Sequence, residues 1–296
     1  MNNSSGSTPS RSKMLMGIPP YLFSVRTVAK KSLRIGLVQL EVTPLKSDNL
    51  CKILDSLNSM GQSCDVVVFP EFSMGYPNGK LSRNFVEEIA EPLDGDFVAR
   101  VVERSKEQRS ILVLPIFEKD AGAVFNTSVI IGRGSVVGCY RKMHLFDAFG
   151  FRESEFFDRG SEMVLFTVGE FTFGVITCYE LRFPELMRKQ VMSGARAVIV
   201  PAAWVRGLLK EEQWQTLLMA RAAENTSYVI GVGNAHEAFI GRSTIADPFG
   251  VKVLDLGCGC RVGQYEIDDS VVTEAREKIP VLQQSRNISD VPCRRL

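Results

Sequence analysis

Short apolar runs alternate along this chain with stretches in which apolar residues recur every third or fourth position. Leu33 to Leu40 reads as a buried strand. Leu50, Ile53, Leu54, Leu57 and Met60 then follow at helical spacing, before a second apolar run from Asp65 to Phe69. This is a β-α-β opening. Phe97 to Gln108 predicts a helix and Ser110 to Phe117 a strand. Val124 to Ile131 and Ser135 to Tyr140 predict a hairpin closed by Gly132-Arg133-Gly134.

The same grammar returns after a loop rich in Phe, Glu and Arg at 146–160. Strands are predicted near 163–168 and 171–177, a helix over about 182–193, and a strand from Ala197 to Val200. Leu209 to Glu224 reads as a helix and Tyr228 to Gly233 as a strand. Ser243 to Ala246 and Val251 to Leu256 flank Asp247-Pro248-Phe249-Gly250, which suits a type I turn. Helices between parallel-type strands, together with hairpins, predict an α/β (α+β) fold with a mixed sheet in each half, each sheet covered by helices and the two packed on one another. No Pro/Gly/Ser-rich linker divides the halves, so 31–281 is expected to be a single domain between an extension at 1–30 and a polar tail at 282–296.

Composition narrows the function classes. With 296 residues, 45% of them apolar, and a net charge of +1, the chain reads as a soluble, well-cored globule. Basic residues are interspersed with acids beyond position 40, so no nucleic-acid partner is expected. No run reaches the ~18 apolar residues needed to span a bilayer, and no membrane partner is expected. Residues 1–30 carry Ser, Thr and basic residues but no acid, which fits either a transit segment or a disordered tail. The apolar patch from Met14 to Val25 is broken by Pro19-Pro20 and lacks a small-residue cleavage site, which argues against secretion. Seven cysteines, an odd number, suggest a reducing compartment: the cytoplasm, or a mitochondrion or plastid if 1–30 is a transit segment. Cys258-Gly259-Cys260 has no second ligand cluster at zinc spacing, since the chain holds only His144 and His236. A surface turn is expected there, and no metal.

Three polar residues interrupt apolar strand endings: Glu71 after Asp65 to Pro70, Lys142 in Gly138 to Asp147, and Cys178 after Phe171 to Thr177. Architectures of this class gather functional groups at strand ends, where a base, a cation and a thiol can converge. Taken singly, each has a plainer reading. The Cys would be a small buried hydrophobe, Glu71 after Pro70 a turn or cap residue, and Lys142 a solvated strand-end charge. His144, two positions from Lys142 and so on the same face of an extended strand, offers a Cys-His dyad instead.

Pro70-Glu71-Phe72, Tyr140 to Asp147 and Cys178 to Glu185 together tip the balance, with Phe125-Asn126-Thr127, Pro201 to Trp204, Ala220 to Asn225 and Gly241 to Gly250 in support. From about Leu33 to Val281 the chain resembles the nitrilase or carbon-nitrogen hydrolase superfamily, in the amidase-type branch that includes omega-amidases and deaminated glutathione amidases. The resemblance implies a four-layer α-β-β-α sandwich, a Glu71-Lys142-Cys178 triad, no cofactor, and a homodimer or higher homo-oligomer whose interface the 282–296 tail reaches. It also implies a supporting role for Glu153 near Lys142 or the attacking water, and no catalytic His, which leaves His144 structural. Phe72, Tyr76 and Trp204 become pocket walls, although core packing explains each as well. Arg182 either meets a substrate carboxylate or pairs with Glu180 or Glu185.

Moving a thiol proton (pKa ~8.5) to a carboxylate (~4.3) costs about 6 kcal/mol unless the site closes the gap. Burial of Glu71 and the Lys142 ammonium beside Cys178 would do so, favouring thiolate in the resting enzyme. Lys142 and the Tyr179 backbone N–H would then meet the oxyanion. The expected reaction is hydrolysis of a small linear amide, one with a carboxylate at its far end, to acid and ammonia through a Cys178 thioester. Nitrile or N-carbamoyl hydrolysis by the same triad is the alternative within the superfamily. A non-catalytic small-molecule binder on the same fold is the alternative of another class.

Overall fold

The computed structural model describes residues 24–25, 31–60, 63–285 and 294. The targeting and interface readings of 1–30 and 282–296 fall mostly outside them. The strands have apolar residues on both faces, and successive side chains go to different layers. Ile35 and Leu37 face one way and Val38 the other; Val66 and Val68 part from Val67, as Ile111 and Val113 part from Leu112 and Leu114. A strand buried on both sides needs a cover on both sides.

One sheet has the order Arg261–Asp268, Ser32–Gln39, Val66–Val68, Ile111–Asp120, Ala123–Gly132, Ser135–Arg141. Its middle strands run parallel, with Ile35 beside Val66 and Val66 beside Ile111, and the last three form an antiparallel meander. The other runs Ser24–Val25, Leu165–Val168, Phe171–Val175, Ala197–Ala202, Tyr228–Gly233, Thr244–Ala246, Lys252–Asp255. It repeats the plan: Phe173, Ala197 and Tyr228 are parallel neighbours, and an antiparallel meander follows.

The sheets meet through Leu33, Ile35, Val68 and Val113 on one side and Phe173, Ile199, Ile230 and Val232 on the other. Helices Lys46–Met60, Arg83–Ile89 and Asp96–Ser105 cover the first sheet through Ile53, Leu57, Val86 and Val101. Helices Pro184–Met192 and Lys210–Asn225 cover the second through Leu186, Met187, Trp214 and Leu218. The architecture is the α-β-β-α sandwich that the sequence led us to expect.

Several elements were not read from the sequence, three of them for clear physical reasons. Helix Arg83–Ile89 buries only Val86 and Ile89, too few apolar positions to show a period, and it starts on a Ser82 cap that accepts from the Phe85 N–H. Strand Arg261–Asp268 lies at a sheet edge against Ser32–Gln39; only Gly263, Tyr265 and Ile267 alternate inward and Val262 faces out, an apolar alternation too short to read. Helix Asp269–Lys278, for which the sequence reading gave no element, is capped by Asp268 and anchored by Val272 and Ala275. Among the described residues no helix is long and apolar enough to cross a membrane.

Candidate active site

Cys178 occupies a sharper bend than a strand passing straight into a helix. Strand Phe171–Val175 ends two residues earlier than predicted, and Cys178 takes a left-handed backbone, φ 50°. It opens a 3-10 turn over Cys178–Arg182, and the α-helix begins only at Pro184, after an extended Phe183. A left-handed residue other than glycine costs roughly 1–2 kcal/mol, so something nearby must hold it.

Glu180 holds it. This fully buried carboxylate accepts from the Thr177 N–H at 2.7 Å, from the Met143 and His144 N–H groups at 2.8 and 2.9 Å, and from the Tyr140 hydroxyl at 2.8 Å. The bend at Cys178 is thereby tied to the segment after Lys142. Glu180 has no bond to Arg182, whose Nη2 donates instead to Gln213 Oε1 at 3.0 Å. His144 also differs from expectation. Its strand ends at Arg141, so it does not share a strand face with Lys142; its ring lies 4.2 Å from that of Phe183, with Nδ1 3.7 Å from Glu180 Oε1.

Glu71 follows strand Val66–Val68, just before a left-handed Phe72, φ 65°. Lys142 Nζ lies 2.9 Å from Glu71 Oε1 and 2.8 Å from Glu153 Oε2, and is only 1% exposed. Asn126 Nδ2 donates to both carboxylates, at 2.8 and 3.0 Å, and the Ala203 N–H donates to Glu71 Oε2 at 2.8 Å. The Phe146 N–H reaches Glu153 Oε2 at 2.6 Å. The Lys142 backbone is clamped as well: its N–H donates to Asn126 and its carbonyl accepts from Gly160. A Cβ at Gly160 would stand 2.1 Å from the Arg141 carbonyl oxygen, so only glycine permits that approach.

Burial opposes the charge on Lys142, but Glu153 and Glu71 outweigh it and hold the ammonium above its ordinary range. Burial likewise pushes the Glu153 carboxyl up, with Glu71 adding to the push and Lys142 opposing it. The Cys178 thiol, which interacts with the Glu71 side chain and the Ala203 backbone, is pushed well above its usual value, first by burial and then by Glu71. Lys142 pulls the other way and loses. The direction runs against the expected resting thiolate: burial and Glu71 favour the thiol form of Cys178, beside the carboxylate placed to take its proton.

Glu71, Lys142, Glu153 and Cys178 all open onto one cavity of about 300 Å³. Phe72 and Tyr76 wall it, stacked at 5.6 Å, and Phe239 closes on Tyr76 at 4.7 Å. A smaller recess beside Cys178 holds Tyr179, Arg182 and Trp204, the guanidinium 5.0 Å over the indole. Glu71, Phe72, Tyr76, Lys142, Glu153, Cys178, Tyr179, Arg182 and Trp204 thus each line one of two adjoining spaces, whereas His144, the alternative partner for the thiol, lines neither. Asn126, Lys210 and the Ala203 amide were not singled out. Asn126 lies within the Phe125-Asn126-Thr127 motif and only needed a role, Lys210 reads as a surface charge, and the Ala203 amide has no side-chain signal at all. Cys258 and Cys260 are exposed, and among the described residues no cluster of three or more His, Cys, Asp or Glu is gathered as metal ligands.

A thiol, a carboxylate able to relay its proton, and a fixed ammonium are the parts that acyl transfer requires. Residues 34–277 match the family model described as carbon-nitrogen hydrolase. A deaminated glutathione amidase from Escherichia coli O157:H7 is 39% identical over 67% of this chain and 76% of its own. Omega-amidase NIT2 from Xenopus tropicalis is 30% identical over 86% of this chain and 95% of its own. A solved superfamily protein from Xanthomonas campestris shares the fold at TM-score 0.79, with 23% identity over 86% of this chain and 98% of that one. The chain belongs to the carbon-nitrogen hydrolase family and is a carbon-nitrogen hydrolase.

Proposed function

We propose that this hydrolase is a Cys178-dependent amidase that converts a carboxylate-bearing monoamide to the acid and ammonia. The observation that carries this reading is the buried ammonium of Lys142 bonded to Glu71 in the same cavity as the Cys178 thiol. Glu71 accepts the Sγ proton as sulfur attacks the amide carbon, and the carbonyl oxygen takes up the charge against Lys142 and the Tyr179 N–H. Collapse breaks the C–N bond, Glu71 returns the proton to the departing amine, and a thioester remains. Water then attacks the thioester with Glu71 taking its proton, the acid leaves, and the thiol is restored. Glu153 and Asn126 keep Lys142 and Glu71 in register. Because the thiol rests protonated, attack and proton transfer occur together.

Two further measurements test it. Ammonia release from a panel of monoamides, nitriles and N-carbamoyl amines is expected to favour the monoamides, and activity on nitriles alone would overturn the choice. Intact-mass spectrometry is expected to find an acyl adduct on Cys178, and none in Cys178→Ala.

A further inference from the structure

Lys210 and Arg182 are two cations that meet at the recess beside Cys178, and among the described residues no anion is paired with either. Lys210, the first residue of its helix, lines both the cavity and the recess, and Arg182 lines the recess. Among the described residues neither forms an ion pair. Arg182 uses the neutral Gln213 amide and the Trp204 ring, and Lys210 Nζ sits 3.7 Å from the centroid of the Phe149 ring. The acid next in sequence, Glu211, turns to Arg242. Trp204 organises both cations, since its ring lies under Arg182 and its Nε1–H donates to the Lys210 carbonyl at 3.0 Å.

We infer that Lys210, with Arg182, is the specificity-determining anion subsite, binding the carboxylate at the end of the substrate remote from the scissile amide. The inference rests on the amidase reading and deepens it by naming the residues that select the substrate. Of the other two cations lining the cavity, Lys142 is bonded to Glu71 and Glu153, and Arg206 is not a candidate because its Nε and Nη2 are occupied by the Glu237 and Phe239 carbonyls at 3.1 and 2.9 Å. Lys210 is also held below the ordinary lysine range, by burial first and by Arg182 next, a cost that a bound anion removes. Phe149 is a stand-in partner. It is 74% exposed at the left-handed tip of the Asp147–Arg152 hairpin, φ 54°, and its ring offers Lys210 a weaker hold than a carboxylate does.

Steady-state kinetics on a matched pair of amides test the subsite: a dicarboxylic acid monoamide and its methyl ester, equal in chain length but neutral. Lys210→Met is expected to raise KM for the acid about tenfold to a hundredfold. Its kcat should stay within about twofold, and kcat/KM for the ester should not change. Lys210→Arg should recover most of the preference. Equal losses on both substrates, or no change on either, would overturn the inference. If wild-type protein hydrolyses neither amide, the amidase reading fails by itself. Calorimetric titration of wild type and Lys210→Met with the saturated dicarboxylate then decides the subsite separately: tighter binding by wild type supports it and equal binding refutes it.

Discussion

Glu71 and Glu180 are both buried carboxylates at strand ends, yet their surroundings give them opposite characters. Among the described residues the hydrogen bonds to Glu180 all come from neutral donors, three backbone N–H groups and the Tyr140 hydroxyl, itself pushed further from ionisation by burial and by Glu180, while the His144 ring stays beyond bonding reach at 3.7 Å. None of those donors gives up a proton near neutral pH. Glu71 accepts from an ammonium, an amide and a backbone N–H, and it also faces a thiol. A carboxylate whose neighbours are all fixed donors pins backbone, whereas one with a transferable proton beside it can do chemistry.

The comparison breaks most sharply on isosteric amides. Glu71→Gln is expected to lower kcat roughly 10²- to 10⁴-fold and to cost about 1–3 kcal/mol of stability, since it removes a proton acceptor and its NH₂ group must face either the Ala203 N–H or the Lys142 and Asn126 donors. Ammonia release and a melting curve check both halves. Lys142→Met leaves Glu71 and Glu153 buried together without a cation and should cost about 3–5 kcal/mol in urea unfolding. Loss of turnover without loss of stability would show that the cation is not what holds the two acids.

Glu180→Gln should cost stability of the same order with a far smaller loss of turnover than Glu71→Gln. An NH₂ group must face backbone donors, costing about 1–3 kcal/mol of stability, and activity falls only as far as the Cys178 bend loosens. Tyr140→Phe is expected to cost less than this, and the two changes combined should be less than additive because they share one network. Full additivity would mean that Tyr140 and Glu180 act separately.

The smallest effect is a pH profile. Because burial and Glu71 push the Cys178 thiol up, its alkylation by iodoacetamide should keep accelerating beyond pH ~8.5, where a free thiol levels off, and Glu71→Gln should bring the plateau down. The same direction sets a stability trend. Cys178 and Tyr228, the latter pushed up to about 12 chiefly by burial, keep protons in the folded chain that the unfolded chain releases. Stability is therefore whole below the unfolded values and declines as pH climbs from the unfolded thiol value toward 12. A flat denaturation midpoint across that window would contradict the assignment.

Much of this was legible in the sequence, for identifiable reasons. Glu71, Lys142 and Cys178 stand out because each ends an apolar run, and the hairpin at Gly132-Arg133-Gly134 carries its own turn chemistry. Strand Arg261–Asp268 was hidden because only Tyr265 and Ile267 turn apolar side chains inward, too short an alternation to read, and His144 was misplaced because a side-chain period holds only while the strand continues. The electrostatics around the thiol run against the sequence expectation for a different reason. Chain order names the charges near Cys178 but does not say how dry the site is, and desolvation outweighed Lys142.

The bond from the Ala203 amide to Glu71 crosses from the end of one sheet to the end of the other. The candidate centre is thus an alignment mark between two independently hydrogen-bonded slabs, legible only while they are in step. A truncation deep in the interleaf, such as Ile199→Ala, that let one slab slip by a fraction of an ångström would silence turnover while the spectroscopic signature of both sheets remained.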